Sequence, residues 1–564
     1  MHNMKETLYK YALQNALKFG GKANLGAVIG KAIQEMPDAK SDMKGLAKQA
    51  AEAVKEANKL PAEEQRKILE EKYPELLEKK QKEERKLPEL PNAVEGKVVM
   101  RLAPYPSGPL HIGNTKTYIL NDEYAKHYKG KLLLVIDDTI GSAEKSIAEE
   151  AYKLIPEGLD WLGFAYDKDI IYKSDRLEHY YKYARELIGK GKAYVCFCNA
   201  ETLRSHRDKK EDCSCRARSV KDNLSEFESM LSGKYAEGSA VLRLKTSMQH
   251  ENPAFRDRVI MRISERPHPR TGTKYRVWPL LDFSWAVDDQ LLGITHIMRG
   301  KELMIESEME KFIWDIFGWP HKEIIHTALM KIEGVKLSKS KSRKEVMEGM
   351  YFGWDDPRTW SLQALKRRGF LPEAIRNFVL SFGLHQNEIT VPVDTLYAEN
   401  RKLIDPTAPR YFFVEDPVEL KVAGAPEQRL AINLHPEQPA MGSREIKTGD
   451  SFYITRADMG SFKAGKLQRL MDCLNFTKKG RGFVFDSLDH ETFRKKGEKI
   501  IHWVAGSSHV DAEVLMPDAS VVKGYAENAL SQVKPGTVVQ LQRFGFCRLD
   551  RKEGNKLVFW FSHK

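Results

Sequence analysis

Residues 97–136 carry the pattern that most constrains the fold. KVVMRLA (97–103) is a short apolar run that predicts a strand, TKTYILNDEYAKHYKG (115–130) predicts a helix, and KLLLVI (131–136) predicts a second strand. Strand, helix and strand in this order form a βαβ unit, which implies a parallel sheet. Because ligands of such sheets bind beyond the carboxyl ends of the strands, the loop after the first strand and Asp137 after the second belong to one candidate site.

The loop APYPSGPLHIGN (103–114) has the composition of a phosphate cradle. Its prolines stiffen the chain, while Gly108 and Gly113 let the backbone approach a ligand without an intervening Cβ. His111 stands at the predicted helix start, where backbone N–H groups and the helix dipole favour phosphate. Asn114 lies one turn further on, so both side chains can donate hydrogen bonds to the same oxygens. For His111 alone, the alternative is a capped helix with an ordinary surface histidine.

A second basic motif, GVKLSKSKSRK (334–344), stands far downstream. Five of its eleven residues are Lys or Arg, spaced by serines. Lys336 and Lys339 can neutralise a leaving pyrophosphate, so the segment is a candidate for the other half of a nucleotide site. Taken alone, such a segment is more typical of a solvated basic loop or a nucleic-acid contact.

The 564 residues are too many for one hydrophobic core and indicate several domains. Residues 1–92 have helical patterns and end in a charged, proline-punctuated linker. Residues 355–400 are again helical. The remainder consists of short β-rich runs separated by Gly, Asp and Asn, which is typical of all-β barrels or sandwiches.

The charge balance points to a polyanionic partner. Lys and Arg total 91 against 79 Asp and Glu, a net charge of +12, which suits nucleic acid or a membrane surface. A densely charged, solvated surface is the alternative. No apolar run is long enough to span a bilayer and the first residues carry no signal-peptide pattern, so we expect a cytoplasmic protein without a membrane partner.

Four of the six cysteines form two C-x-C pairs, Cys196 with Cys198 and Cys213 with Cys215. Four thiolates suit a tetrahedral Zn²⁺ held entirely by protein, so a structural zinc site is expected here, with free reduced thiols as the alternative. So few cysteines in so long a chain argue against a disulfide scaffold.

Together, PLHIGN (109–114) and KLSKS (336–340) resemble the HIGH and KMSKS signatures of class I aminoacyl-tRNA synthetases. The resemblance covers nearly the whole chain and is to the glutamyl enzymes of archaeal type, which are close relatives of the glutaminyl enzymes. The further segments that carry it are MRLAPYPSGPLHIG (100–113), LLLVIDDT (132–139), AVDDQLLGITHIMRGKE (286–302), NRKLIDPTAPRYFFVEDP (400–417) and AEVLMPDASVVKG (512–524).

The resemblance implies a multidomain fold. The implied parts are a helical N-terminal extension (1–92), a Rossmann-like α/β catalytic domain in two halves (93–195 and 281–350), an inserted acceptor-end-binding domain with the zinc site (196–280), a helical connector (351–402), and two C-terminal antiparallel β-barrels that bind the anticodon (403–564).

The resemblance also implies a reaction. ATP with Mg²⁺ activates L-glutamate to glutamyl-adenylate, and the glutamyl group then passes to the terminal adenosine of tRNA-Glu. The family expectation is a monomer. Whether tRNA-Gln is also charged, which would need a downstream tRNA-dependent amidotransferase, is left open. The alternatives are a glutaminyl-tRNA synthetase, a non-catalytic tRNA-binding paralogue, and a small-molecule nucleotidylyltransferase, which would not need the β-rich C-terminal part.

Residue roles follow from the matching motif positions. The resemblance assigns catalysis to His111, Asn114, Lys336 and Lys339. It assigns ATP binding to these four and to Pro104, Ser107, Gly108, Gly113 and Ser338. It assigns amino-acid binding to Arg101 at the glutamate carboxylate, Asp137 at the amino group, Ala103, and Arg299.

Arg299 is the residue that indicates the substrate, because the family places an arginine there for glutamate and a small neutral residue for glutamine. A surface salt bridge is the alternative for Arg299, and a turn-capping carboxylate for Asp137. The sequence departs from the family pattern at Asn114, where His is usual, and at Leu281, where relatives often carry a Tyr. The segment after Thr139 also lacks the usual proline.

Overall fold

The computed structural model describes residues 4–18, 21–36, 39, 42–76, 87–142, 146–328, 330–335, 339–384 and 387–564. The chain divides into two compact units, residues 1–86 and 87–564. Among the described residues, no helix is both long and apolar enough to cross a bilayer.

The first unit is a bundle of four helices, α1 (Met4–Lys18), α2 (Leu25–Glu35), α3 (Met43–Ala57) and α4 (Ala62–Lys72). Its core is built largely from alanine with a few larger aliphatic residues, including Leu8, Val28 and Leu46. Asn24 and Asp42 cap α2 and α3 by accepting backbone N–H groups of the first helical turn. The helical patterns of this part of the sequence are therefore confirmed.

The second unit begins with the expected parallel sheet. Strands β1 (Val99–Leu102), β2 (Lys131–Ile136) and β3 (Ile171–Tyr172) pair in that order, all in parallel. Helix α5 (Ile112–His127) connects β1 to β2, as the βαβ pattern predicts. The sheet buries both faces, so its strands are nearly continuous apolar runs. The second half of this layer comprises α10 (Leu281–Leu291), β8 (His296–Gly300), α11 (Met304–Phe317) and β9 (Glu323–Thr327), with β8 and β9 parallel.

A four-stranded antiparallel sheet is inserted between these halves, formed by β4 (Ala193–Cys196), β5 (Val241–Leu244), β6 (Val259–Ile263) and β7 (Val277–Pro279). The boundary predicted between residues 195 and 196 falls inside β4. Helices α6 (Ala151–Trp161) and α7 (Leu177–Gly189) precede this sheet, and α8 (Ala200–Lys209) and α9 (Val220–Leu231) follow β4. One apolar core joins α7, the inserted sheet, α10 and α11, so the insertion is packed onto the parallel layer.

Strand β10 (Met330–Ile332) is followed by α12 (Lys339–Met347). The connector comes next and contains α13 (Leu362–Arg367), α14 (Pro372–Leu380), β11 (Ile389–Val391) and α15 (Val393–Ile404). Strand β11 pairs in parallel with β10, which ties the connector back to the parallel layer.

The C-terminal part contains two seven-stranded sheets and a hairpin. The strands of the first sheet, in spatial order, are β12 (Arg410–Tyr411), β25 (Val538–Leu541), β26 (Gly545–Glu553), β27 (Lys556–His563), β23 (His509–Leu515), β24 (Val521–Glu527) and β13 (Phe413–Glu415). Those of the second are β21 (Gly497–Ile501), β18 (Leu467–Leu470), β19 (Asn475–Lys479), β20 (Gly482–Ser487), β14 (Pro417–Ala423), β17 (Ser451–Thr455) and β22 (Val504–Ala505). The hairpin is β15 (Gln428–Asn433) with β16 (Ser443–Thr448), and the short helices are α16 (Arg456–Ser461) and α17 (His490–Lys496).

The C-terminal sheets correct the expectation that their strands are purely antiparallel. Each is mixed, because the pairs β12–β25, β23–β27, β14–β20 and β18–β21 are parallel. The end strands of each order are consecutive in the chain, β12 with β13 in the first sheet and β21 with β22 in the second. Residues 410–415, for example, pair with β25 through β12 and with β24 through β13, so the correction concerns strand direction and not the return of each sheet to its first segment. The chain enters them through residues 411–414, where Tyr411 and Phe413 face one apolar core while Phe412 and Val414 face the other. The two-residue period of an extended chain thus lets a single segment serve both cores.

Gly369 fixes the connector against the first C-terminal sheet. It has φ +89°, and a Cβ there would lie 2.9 Å from Cγ2 of Val538 and 3.2 Å from Cβ of Arg548. We expect Gly369→Ala to cost about 1–2 kcal/mol for its left-handed backbone and about 1–3 kcal/mol more for overpacking. Urea denaturation measures the loss. Gly163→Ala is the matched control, because Gly163 has φ +73° but open space around its Cβ position. Equal losses in the two variants would contradict the close packing.

Candidate active site

His111 is the N-cap of α5, at the carboxyl edge of the parallel sheet. Its Nδ1 accepts the N–H of Gly113 at 3.1 Å, so the neutral ring carries its proton on Nε2. The Asn114 side-chain oxygen accepts the N–H of His111 at 3.2 Å, which completes a reciprocal capping box. The amide at position 114 therefore stabilises the helix start through its oxygen and keeps its NH₂ group as a donor.

The loop before His111 is tied to the end of β2. The carbonyl of Pro104 accepts the N–H of Asp137 at 3.0 Å, and the carbonyl of Pro106 accepts the N–H of Ala148 at 2.8 Å. The loop 103–114 and Asp137 thus share one edge of the sheet, as predicted from the βαβ pattern. Gly108 lies against the ring of Trp354 in the connector, whose Cη2 would be 2.6 Å from a Cβ at this position.

Asp137 is buried beside a lysine that sequence reasoning missed. Its Oδ1 accepts from the Thr139 hydroxyl at 3.0 Å, and its Oδ2 lies 3.4 Å from Nζ of Lys173. Lys173 is fully buried, donates to Ser284 Oγ at 2.7 Å and lies 3.5 Å over the ring of Trp285. Burial lowers the pKa of the Lys173 ammonium, and the charge of Asp137 opposes that shift.

Arg101 projects from β1 into the same buried region. Its Nε and Nη2 both donate to the carboxylate of Asp289, the second bond at 2.8 Å, and its guanidinium lies 3.4 Å over Trp285. The Nε and Nη2 edge of the Arg101 guanidinium is therefore bound by a carboxylate of the protein itself.

Arg299, at the end of β8, forms a buried ion pair and not the surface salt bridge that was the alternative. Its Nη1 and Nη2 donate to the two oxygens of Glu310, each at 2.8 Å, and its Nη2 lies 4.0 Å from Asp289. Burial raises the pKa of the Glu310 carboxyl, and the charge of Arg299 partly offsets that rise. Asp289 therefore joins Arg101 to Arg299, and two cations are balanced by two carboxylates in one buried cluster.

Helix α10 supplies residues that the motif positions did not assign. Ser284, Trp285, Asp288 and Asp289 are all buried, and Asp288 accepts from Tyr180 at 2.6 Å and from Arg176 at 2.7 Å. Paired buried carboxylates could have been predicted from the segment DFSWAVDDQ, because carboxylates in an otherwise apolar helix are expected to be paired when they are buried.

The second basic motif is described only in part. Lys336 and Ser338 lie outside the described residues, and of Lys339 only the backbone, at the start of α12, is described. Arg343 in the same helix donates to the backbone carbonyls of Ser146 at 2.7 Å and Ile147 at 3.0 Å. Helix α12 is thereby attached to the chain segment that follows β2 and Asp137.

The four predicted cysteines come together at the end of β4. The Sγ atoms of Cys196, Cys198, Cys213 and Cys215 all lie within 4.8 Å of one another. Arg243 is fully buried beside them, with Nη1 3.7 Å from Sγ of Cys196 and 3.5 Å from Sγ of Cys213. The hydrogen bond from Cys196 lowers the pKa of the Cys213 thiol, and the Arg243 charge acts in the same direction.

Known proteins match this chain over its second unit and over its full length. Family models match residues 97–406 (tRNA synthetases class I (E and Q), catalytic domain), and residues 408–491 and 500–550 (anti-codon binding domain of the same group). A glutamate–tRNA ligase from Pyrococcus abyssi is 46% identical over 98% of this chain and 99% of its own length. One from Methanocaldococcus jannaschii is 42% identical over 100% of both chains. A crystal structure of a glutamate tRNA ligase from Elizabethkingia meningosepticum aligns with TM-score 0.41 and 20% identity, covering 55% of this chain and 70% of that one.

The buried cluster yields a stability prediction. Arg299→Met leaves the Glu310 carboxylate buried without its cation, so we expect the free energy of unfolding to fall by about 3–5 kcal/mol. Thermal and urea denaturation of the full chain measure it. In the double variant Arg299→Met/Glu310→Gln the buried charge is gone, and part of the stability should return. A double variant that is less stable than Arg299→Met would refute the charge-balance account.

Proposed function

The chain belongs to the glutamate and glutamine branch of the class I aminoacyl-tRNA synthetases, and on that premise we propose that it is a glutamate–tRNA ligase. The carboxylate of L-glutamate attacks the α-phosphate of ATP and releases pyrophosphate. The glutamyl group of the adenylate then passes to the terminal adenosine of tRNA-Glu and AMP is released. The observation that carries the proposal is the buried cluster in which Asp289 joins Arg101 to Arg299, because it holds two fixed guanidinium groups at the ligand-binding edge of the sheet.

At the nucleotide end, the chain offers hydrogen-bond donors that are fixed before ATP arrives. The capping box holds the His111 ring with its proton on Nε2, and the first backbone N–H groups of α5 point the same way along the helix axis. These groups suit the phosphates, and Pro104, Ser107, Gly108 and Gly113 shape the loop around them. Lys336 and Lys339 would bring positive charge to the pyrophosphate that leaves, and Ser338 a hydroxyl donor. Mg²⁺ supplies further neutralisation of the phosphates when bound.

At the amino-acid end, specificity would come from hydrogen-bond donors that are oriented in advance. Arg101 and Asp137 would hold the carboxylate and amino group of the substrate beside Ala103, and Arg299 would face its side chain. Both oxygens of a glutamate carboxylate can accept from guanidinium N–H donors, whereas glutamine presents one acceptor oxygen and an NH₂ group that cannot accept. The internal carboxylates of Asp289 and Glu310 keep both guanidinium groups oriented before the substrate binds.

Asn114 bears on the alternative of a non-catalytic paralogue. Its oxygen is engaged in the helix cap, and its NH₂ group can still donate to a phosphate. The departure from histidine is thus compatible with a working nucleotide site, with re-tuned ATP binding as its consequence.

The partners follow from the same family. The net charge of +12 and the two matched anticodon-binding segments support tRNA-Glu as the macromolecular substrate of a cytoplasmic monomer. Charging of tRNA-Gln as well, with a tRNA-dependent amidotransferase acting next, is the second outcome that the charging assay can give.

We expect purified protein to attach labelled glutamate, and not glutamine, to a tRNA-Glu transcript in the presence of ATP and Mg²⁺. The assay runs tRNA-Glu and tRNA-Gln in parallel with each amino acid. His111→Ala is the control variant and should lower the activation rate about 10²–10³-fold, as the loss of one preorganised donor does. Glutamine on either tRNA would overturn the specificity proposed for Arg299, and no charging at all would leave a tRNA-binding paralogue.

We further propose that the four cysteines hold a structural Zn²⁺. A tetrahedral site with Zn–S bonds of about 2.3 Å requires sulfur atoms about 3.8 Å apart, and the Cys196–Cys213 separation is 3.7 Å. Four thiolates around Zn²⁺ carry a net charge of −2, and Arg243 offsets part of it from within hydrogen-bonding distance. All four ligands are protein, so the ion would stabilise the inserted domain rather than take part in catalysis.

Elemental analysis of the purified full chain should give about one zinc per chain. Cys213→Ser should lower this content, while Cys473→Ser, in a buried cysteine of the C-terminal part, should leave it unchanged. Replacement by Co²⁺ should produce thiolate-to-metal absorption that the Cys213→Ser variant lacks. A zinc-free wild type after expression with added zinc would refute the site.

A further inference from the structure

The connector contacts the loop of residues 103–114, here called the nucleotide loop, at Gly108. A Cβ at this position would lie 2.6 Å from Cη2 and 2.9 Å from Cζ3 of the Trp354 ring, so the indole occupies the place of a side chain. Real Cβ atoms do not approach carbon that closely, and the nearest atoms belong to a rigid ring rather than to a flexible chain end. The glycine of the loop is therefore matched to a tryptophan 246 residues further along the chain.

The same connector segment pairs with the backbone around His111. His111 forms an antiparallel bridge with Ser361, the N–H of Ile112 donates to the carbonyl of Trp360 at 3.1 Å, and the N–H of Leu362 donates to the carbonyl of Leu110 at 2.9 Å. The nucleotide loop is thus held by the Trp354 ring at Gly108 and by backbone hydrogen bonds at Leu110 and Ile112.

Trp354 itself is held by its own segment. Its carbonyl accepts the hydroxyl of Ser361 at 2.6 Å and that of Thr359 at 3.1 Å, which closes residues 354–361 into a compact turn. Its neighbour Asp355 pairs with Arg367 of α13 at 2.6 Å, and Arg367 also binds Asp550 of β26 at 2.8 and 2.7 Å. The indole is therefore a fixed surface against which the loop can rest.

We propose that Trp354 is a positioning residue for the activation step, which sets the place of the loop from Gly108 to His111 and so the alignment of ATP. The inference rests on the proposed function, since it assigns that loop to ATP. Trp354 does not contact the reacting atoms and acts through the loop. The glutamate end of the site, built on Arg101, Asp289 and Arg299, is held by other elements and should be insensitive to it.

A compensating pair of substitutions tests the contact. Gly108→Ala adds the clashing Cβ, Trp354→Leu removes the ring, and the double variant removes the clash while keeping the alanine. We expect Gly108→Ala to raise the KM for ATP about tenfold or more, because a small misplacement of a catalytic group is costly. The KM for glutamate should change less than twofold. Gly108 has φ +158°, so alanine keeps some backbone strain even without the ring, and the KM for ATP in the double variant should fall below that of Gly108→Ala without returning to the wild-type value. Charging is assayed with tRNA-Glu present.

Trp319→Leu is the matched control, because Trp319 is also a half-buried indole but stacks on Phe317 in α11 and should not alter the KM for ATP. The proposal is wrong if the fold-increases in the KM for ATP of the two single variants multiply in the double variant. It is also wrong if the KM for ATP and the KM for glutamate rise equally. Calorimetric ATP binding by the same variants separates the two claims. A wild type that binds ATP and charges no tRNA defeats the proposed function alone, and an ATP Kd that all three variants leave unchanged defeats the positioning role alone.

Discussion

The buried carboxylates of helix α10 are the constraint on which the catalytic half of the molecule depends. An ionised carboxylate away from water is tolerated only when a cation and hydrogen bonds match it. Asp282 pairs with Arg258 at the start of β6, Asp288 with Arg176 before α7, and Asp289 with Arg101 of β1. One helix therefore ties the inserted sheet, helix α7 and strand β1 to one another. Each of these elements can take only the position in which its arginine meets its carboxylate.

The same charge matching shapes the site. Arg101 and Arg299 would repel each other if both were buried without anions, and Asp289 between them removes that cost. Glu310 balances the second guanidinium from α11. The cluster is close to neutral before any substrate enters, so its arginines are oriented and desolvated in advance. Such preorganisation suits a site that must distinguish a charged side chain from a neutral one of nearly the same shape.

At the nucleotide loop, one residue serves local structure and chemistry together. The Asn114 oxygen caps the backbone of His111 while the His111 ring caps that of Gly113. The sequence predicts both residues at a helix start and departs from the family signature at Asn114. The capping role of Asn114 could be predicted from the sequence, because a polar residue three positions after an N-cap is the pattern of a capping box. The packing of Gly108 on Trp354 could not be predicted, because no local sequence pattern relates two residues so far apart in the chain.

The sequence by itself determined the elements and the motifs. The strands and helix of residues 97–136, the nucleotide loop at the sheet edge, the paired cysteines and the β-rich C-terminal part were all readable, because their patterns repeat every two or 3.6 residues or recur at fixed short spacing. Only the tertiary structure decided the partner of each buried charge and the mixed strand pairing of the C-terminal sheets. Arg101 and Asp289 meet across 188 positions of sequence. Such a meeting is set by how the layers pack, and local periodicity carries no information about it.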